Sequence, residues 1–388
     1  MTNKNQKTQP KNTSQRTWAL SLTAISLATW AFFTYGLDKT PQGVQDWVQT
    51  WVPPSTVNES LVWVICALGL NIVVGYAGLL DLGFVAFWAF GGYTAGWFMS
   101  GFFYQVNIHF GSMAAPKLPG IHLSFWIVMF VAALIAAFFG IIIGAPTLRL
   151  KSDYLALVTL GFGEIIPQFF TNGENIAGFN ISNGTKGISP VDIIGFGSKR
   201  LGPFDLGWKF LIYFVLAAAM VFVSLRIRGG RLGRAWLAIR EDELAASMMG
   251  VPLMRTKLTA YAVGAFSGGI GGAIYATHVN GIFAERFNFS ISIILLAMVV
   301  LGGMGNVWGV ILGAVLMAWI NATGLPAIGD TVNNTFHTNI NFPSYNFLLF
   351  GGILVLMMLF KRDGLLPEAR LKMISHENDD ETSNTGGH

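Results

Sequence analysis

From residue 287 to residue 329 the chain carries no Asp, Glu, Lys or Arg. A helix needs about 20 mostly apolar residues to cross a bilayer, so this stretch is long enough to cross, turn and return. The glycines of GGMGN at 302–306 supply the turn. Shorter uncharged runs recur along the chain, and ionisable acids and bases make up only 11% of its 388 residues against 53% apolar types. A soluble domain carries about a quarter charged residues. Lipid is the solvent that tolerates such runs, and it demands that every backbone group be paired within the segment. The fold class expected is therefore all-α, a polytopic membrane protein of about 10 transmembrane helices.

Candidate spans lie near 17–36, 59–77, 79–100, 121–144, 154–171, 208–225, 256–279, 288–303, 307–323 and 344–361. Lys and Arg set the orientation of such a chain, and acids contribute little. With both termini cytoplasmic, 17 positive charges fall inside and 7 outside, a self-consistent assignment. It divides the chain into a cytoplasmic tail at 1–16, a transmembrane domain at 17–361 and a cytoplasmic tail at 362–388. The transmembrane domain includes a cytoplasmic loop at 226–256 and an external loop at 172–207. The uncharged run at 17–37 is longer than a signal-peptide core and lacks a clear cleavage site, so it reads as a retained span, with a cleaved leader as the alternative. The external loop is rich in Gly, Asn, Ser and Pro and predicts turns, a mouth or lid. The polar, acidic tail from His376 predicts disorder.

Chemistry-bearing residues are few. Cys66 is the only cysteine, which excludes an internal disulfide. His109, His122, His278, His337, His376 and His388 are scattered without metal-ligand spacing. No phosphate-binding loop of the Gly-x-x-x-x-Gly-Lys-Ser/Thr kind occurs. The positive charges form short clusters between apolar runs, which argues against nucleic acid as a partner.

Four groups of residues remain. In the loop at 226–256, Glu241, Asp242 and Glu243 suit a helix N-terminus, Gly250 and Pro252 a stop, and Leu244 with Met248 an apolar stripe. That short amphipathic helix, flanked by Arg240 and Glu241, is either a knob for a soluble partner or an interfacial helix on anionic lipid. Glu164 and Gln168 share a helical face with Gly161, opposite Leu155, Val158, Phe162, Ile165 and Phe169, which predicts a carboxylate directed into the bundle. It either lines a route or bonds a neighbouring helix. Asp81 sits between two spans, where capping the next helix is favoured over contact with a solute. Gly264, Gly268 and Gly272 repeat every four residues and predict close helix packing.

Five segments in order carry a resemblance: LNIVVGYAGLLDLGFVAF (70–87) with GGYTA (91–95), DYLALVTLGFGEII (153–166), LGRA (232–235) with AIREDE (238–243), Ala245-Ala246 to Gly250, and VVLGGMGNVWG (299–309). They resemble the permease subunits of bacterial branched-chain amino acid ABC importers, from about residue 59 to 325. The resemblance implies a chain in the bacterial inner membrane that pairs with a second permease subunit, two ABC ATPase subunits and an external solute-binding protein. ATP and Mg would be bound by the partner ATPases and no cofactor by this chain. It also implies that Arg234, Arg240, Glu241, Asp242, Glu243, Ala245, Ala246 and Gly250 form an ATPase-docking loop. Asp81, Glu164 and Gln168 are the candidates for translocation or gating. Leu244 stands where the general docking motif begins with Glu, and 36–59 and the tail after 371 exceed the family's usual core. Urea or short-amide importers have similar permeases and are the alternative, with an ion-coupled secondary transporter more distant.

Overall fold

A computed structural model describes residues 28–36, 39–111, 118–150, 152–196, 199–202, 205–361 and 364–366. Both polar tails, most of the first expected span, His376 and His388 lie outside the described residues. From the second expected span onward, a helix stands at every position where one was expected. These are α2 (Pro54–Asn71), α3 (Phe84–Phe98), α4 (Phe125–Thr147), α5 (Ser152–Thr171), α6 (Leu206–Gly229), α9 (Leu253–Val279), α10 (Phe289–Gly302), α11 (Val307–Trp319) and α13 (Asn346–Phe360). Shorter helices are α1 (Gln42–Trp51), α7 (Arg231–Glu241), α8 (Glu243–Met248) and α12 (Leu325–Phe336).

Among the described residues, 7 helical stretches are long and apolar enough to cross a membrane. α3 and α9 are not among them, for a physical reason. At about 1.5 Å per residue α3 falls short of the ~30 Å hydrocarbon thickness, and α9 is crowded with glycine. Both are enclosed by protein: every residue from 84 to 96 is buried, and α9 packs along α2, α3 and α4. A helix that never meets lipid needs neither full length nor uniform apolarity.

The expected third span begins late. After α2 the chain makes a π-helical turn at Ile72–Tyr76, leaves helical structure at 77–83, and starts α3 only at Phe84. Along this stretch Ala77, Leu79, Asp81 and Gly83 are buried, while Gly78 and Leu80 are exposed. The long uncharged stretch turns back where its glycines stand: α10 ends at Gly302, and the Asn306 side chain accepts from the Trp308 amide at 3.1 Å to cap α11.

Loops sort to two ends of the bundle. At one end residues 71–83, the 226–252 loop, 303–306 and 364–366 meet, with the Leu365 and Leu366 amides donating to the carbonyls of Leu301 and Gly302. At the other, strand β3 (Gly120–Leu123) pairs antiparallel with β1 (Met99–Ser100) and parallel with β2 (Asn107–Phe110). A short hairpin of β4 (Ile194–Phe196) and β5 (Lys199–Leu201) stands nearby. Bridges from Ser100 to Val191 and from Ile188 to Ile282 tie the 172–207 loop down.

His122 and Asp192 fasten this end, Nδ1 to Oδ2 at 2.8 Å, with the His109 ring stacked on His122 at 4.8 Å. Burial raises the Asp192 carboxyl above its ordinary value, and the His122 hydrogen bond offsets part of that rise. A carboxyl raised in the fold binds more protons folded than unfolded, so its contribution is fully present below the ordinary Asp range and is lost as pH rises through the raised value. The melting temperature of wild type relative to Asp192→Asn should therefore fall as pH is increased from about 4. A difference that grows with pH would contradict this.

Candidate functional site

On α5 Ile165 and Phe169 face outward as expected, but Glu164 and Gln168 do so too, against expectation. The buried residues of this helix are Leu155, Thr159, Gly163, Pro167 and Phe170, while Leu157, Glu164, Ile165, Gln168 and Phe169 are exposed. The Glu164 carboxylate does not point into the bundle of this chain. Large apolar side chains gain nothing from leaving lipid for protein, and small ones let backbones approach. The inward stripe is accordingly the one with Gly, Thr and Pro. The Cβ that Gly163 lacks would stand 3.1 Å from the Leu82 carbonyl oxygen. Glu164 and Gln168 share an outward face, where with Ile165, Phe169, Asn172 and Ile176 they line an open groove of about 490 Å³. The groove runs from the middle of α5 past its C-terminal end.

A carboxylate left against hydrocarbon at a helix centre costs about 2.5–3.5 kcal/mol on insertion scales. Water or another protein surface must therefore meet this face.

Asp81 is fully buried. Its Oδ1 accepts from the Gly83 amide at 2.8 Å and the Tyr261 hydroxyl at 3.2 Å. The expected cap of the next helix takes a different form, because Gly83 occupies the N-cap position and the free amides are satisfied from other helices. Leu82 N donates to Thr159 Oγ1 of α5, and Val85 N to Ser292 Oγ of α10, each at 3.1 Å. Residue type alone marked neither Thr159 nor Ser292, since a hydroxyl inside an apolar helix bonds its own backbone as readily as a neighbour's.

The loop at 226–256 folds as two helices. α7 ends at Glu241, and Asp242 caps α8, its Oδ1 accepting from the amides of Leu244 and Ala245 at 2.8 and 3.0 Å. Glu243 is paired with Lys257 at 2.5 Å, Ala246 is buried, and Ala245, Glu241 and Arg234 are exposed. Gly250, with φ at 84°, ends the element. Leu244, Met248 and Met249 stand 66%, 78% and 85% exposed, an apolar knob beneath the bundle. Arg240 belongs elsewhere. It is half-buried and its Nη1 donates to the carbonyl of Gly75 at 2.5 Å, so the structure turns it inward, away from the docking surface expected of it.

The glycines of α9 mark close approaches. A Cβ on Gly264 would meet Val73 Cγ2 at 2.4 Å, one on Gly268 Phe87 Cβ at 3.0 Å, and one on Gly272 the Trp88 carbonyl oxygen at 2.2 Å. Among the described residues no group of His, Cys, Asp and Glu could hold a metal ion.

An apolar helical bundle with an unwound segment, a mainly apolar groove bearing a carboxylate and two amides on one span, and a short helical knob at one end defines a multi-pass membrane transport component. The chain belongs to the family described as the permease component of branched-chain amino acid transport systems, which it matches over residues 55–358. It is 35% identical over 330 residues to the high-affinity branched-chain amino acid transport system permease protein LivM of Escherichia coli, an alignment that spans 80% of this chain and 69% of that protein. To the probable LivM of Methanocaldococcus jannaschii it is 28% identical, over 79% of this chain and 91% of that one. The LivH permease protein of the same E. coli system is 22% identical over 42% of this chain and 49% of its own. No solved structure matches the chain.

Proposed function

We propose that this chain is the membrane-spanning permease subunit of an ABC importer in a bacterial inner membrane and that it carries leucine, isoleucine and valine. A second permease subunit covers the exposed face of α5, two ABC ATPase subunits grip the knob of α8, and an external solute-binding protein delivers the solute. The single observation that carries this reading is the α5 groove, which puts a carboxylate and two amides beside Ile165, Phe169 and Ile176 on a face that lipid alone cannot satisfy. Glu164 suits the substrate ammonium, the amides of Gln168 and Asn172 suit its carboxylate, and the apolar walls suit a branched side chain. Its volume lies within the ~300–1,000 Å³ of small-molecule sites. Exposed Leu244, Met248 and Met249 support the ATPase contact, because a protein partner gains from covering such a cluster.

The test is leucine uptake by the complete assembly in liposomes. Glu164→Ala should reduce ATP-driven uptake about tenfold or more, with Glu164→Gln less severe, while the ATPase subunits stay bound. Uptake at the wild-type rate in Glu164→Ala would remove the groove from the route. A wild-type assembly that imports urea in preference to leucine would overturn the substrate.

A further inference from the structure

The knob of α8 and the groove of α5 are separate elements, and the unwound segment at 77–83 touches the machinery of both. Arg240, in the last turn of α7, donates from Nη1 to the Gly75 carbonyl oxygen. Its aliphatic stem lies against Gly78, which has φ at 68° and where a Cβ would come 2.8 Å from Arg240 Cγ. On the other side of the π-helical turn, Asn71 Oδ1 accepts from the Gly305 amide at 2.9 Å, across 234 positions of sequence. Gly75 sits between these two holds, since a Cβ there would meet Asn71 Oδ1 at 2.1 Å and the Gly305 amide at 2.6 Å. Beyond Gly78 the segment is held by Asp81 to Tyr261 on α9 and by the Leu82 amide to Thr159 on α5. Thr159 and Glu164 belong to the same helix.

Helical backbone fixes its own position through internal hydrogen bonds, but residues 77–83 lack that ladder and take their place from the groups that grip them. Arg240 grips the entrance and Thr159 the exit. We propose that Arg240 is a positioning residue for transport: it transmits displacement of the docking helices to the 77–83 strap, which passes it to α5 and its groove. This rests on the importer reading above. It differs from a docking role, because Arg240 then serves the ATPase only through Gly75 and Gly78. A guanidinium offers several donors in a fixed fork, so lysine can replace its charge and one donor but not its geometry.

The experiment reconstitutes the complete assembly with wild type, Arg240→Gln or Arg240→Lys. In Arg240→Gln the ATPase subunits should still co-purify and hydrolysis should stay within about twofold, while leucine imported per ATP falls at least tenfold; Arg240→Lys should recover part of it. Loss of the ATPase subunits from Arg240→Gln would make it a docking contact and overturn the proposal, as would unchanged uptake per ATP. Spin labels at Leu80→Cys and Leu157→Cys give a second reading that does not need the transported solute to be known. The distance between them should change with ATP in wild type and stay fixed in Arg240→Gln. If wild type imports no branched-chain amino acid, the substrate proposed above fails on that result alone. The label distance then decides the strap: a change in wild type that is absent in Arg240→Gln upholds it, and equal behaviour of the two chains overturns it.

Discussion

Replacing Gly272 with leucine is expected to abolish the folded chain, whereas alanine at Gly351 should leave it intact. The Cβ that Gly272 lacks would stand 2.2 Å from the Trp88 carbonyl oxygen, 2.6 Å from the Gly92 amide and 3.0 Å from the Gly91 carbonyl carbon. All three are backbone atoms of α3, so no side chain can swing aside and the two helices must separate. Overpacking by a methylene or so costs about 1–3 kcal/mol where neighbours can adjust; here they cannot, and leucine adds three further carbons. Separation also releases the other close approaches along the seam, among them that of Gly91, where a Cβ would lie 2.3 Å from the Gly269 carbonyl oxygen. Because small residues hold membrane helices together where lipid gives no hydrophobic drive, nothing else restores the contact. A Cβ on Gly351 meets nothing within 4 Å, and alanine there gains up to about 1 kcal/mol of helix propensity. Size-exclusion profiles and melting of the purified chains in detergent decide the matter. A monodisperse Gly272→Leu protein melting with wild type would refute the seam.

Much of this architecture is written in hydrophobic run lengths, because bilayer thickness fixes how long an uncharged helix must be. The turn at 302–306 and the placement of α9 follow from glycine spacing. What run length cannot give is which face of a helix looks inward. On α5 the expectation set Glu164 and Gln168 inward and Leu155, Val158, Phe162, Ile165 and Phe169 on the opposite face; in the fold Glu164 and Gln168 face outward, and Gly163 with Thr159 makes the inward contact. The break at 77–83 was hidden for a related reason: its residues are apolar enough to continue a span, and the groups that hold it, Tyr261 at Asp81, Thr159 at Leu82 and Arg240 at Gly75 just before it, are far away in sequence. Asp242 illustrates the opposite case. A helix cap is local chemistry, and the acids at 241–243 placed the start of α8 correctly. The partner of Arg240, two positions earlier, was not legible, because Gly75 is 165 positions away.

Aspartate at both Leu244 and Met248 should release the ATPase subunits from an otherwise intact permease. Both side chains are largely exposed and stand on one face of α8, so burying a charge within this chain is not at issue. The helix keeps its Asp242 cap and its Glu243–Lys257 pair. Against a partner surface the same changes place two carboxylates where apolar contact is expected, and a central interface residue commonly carries about 2 kcal/mol or more. Two such losses correspond to roughly a thousandfold weaker association at ~1.4 kcal/mol per tenfold. The expected result is an assembly that fails to retain its ATPases on purification, while the variant chain alone elutes and melts as wild type does. An amphipathic helix resting on anionic lipid would behave differently, since its losses would appear as weaker binding to charged vesicles and would be relieved by salt. Retention of the ATPases in the double variant would therefore move the docking surface away from α8, and with it the force that Arg240 is placed to transmit.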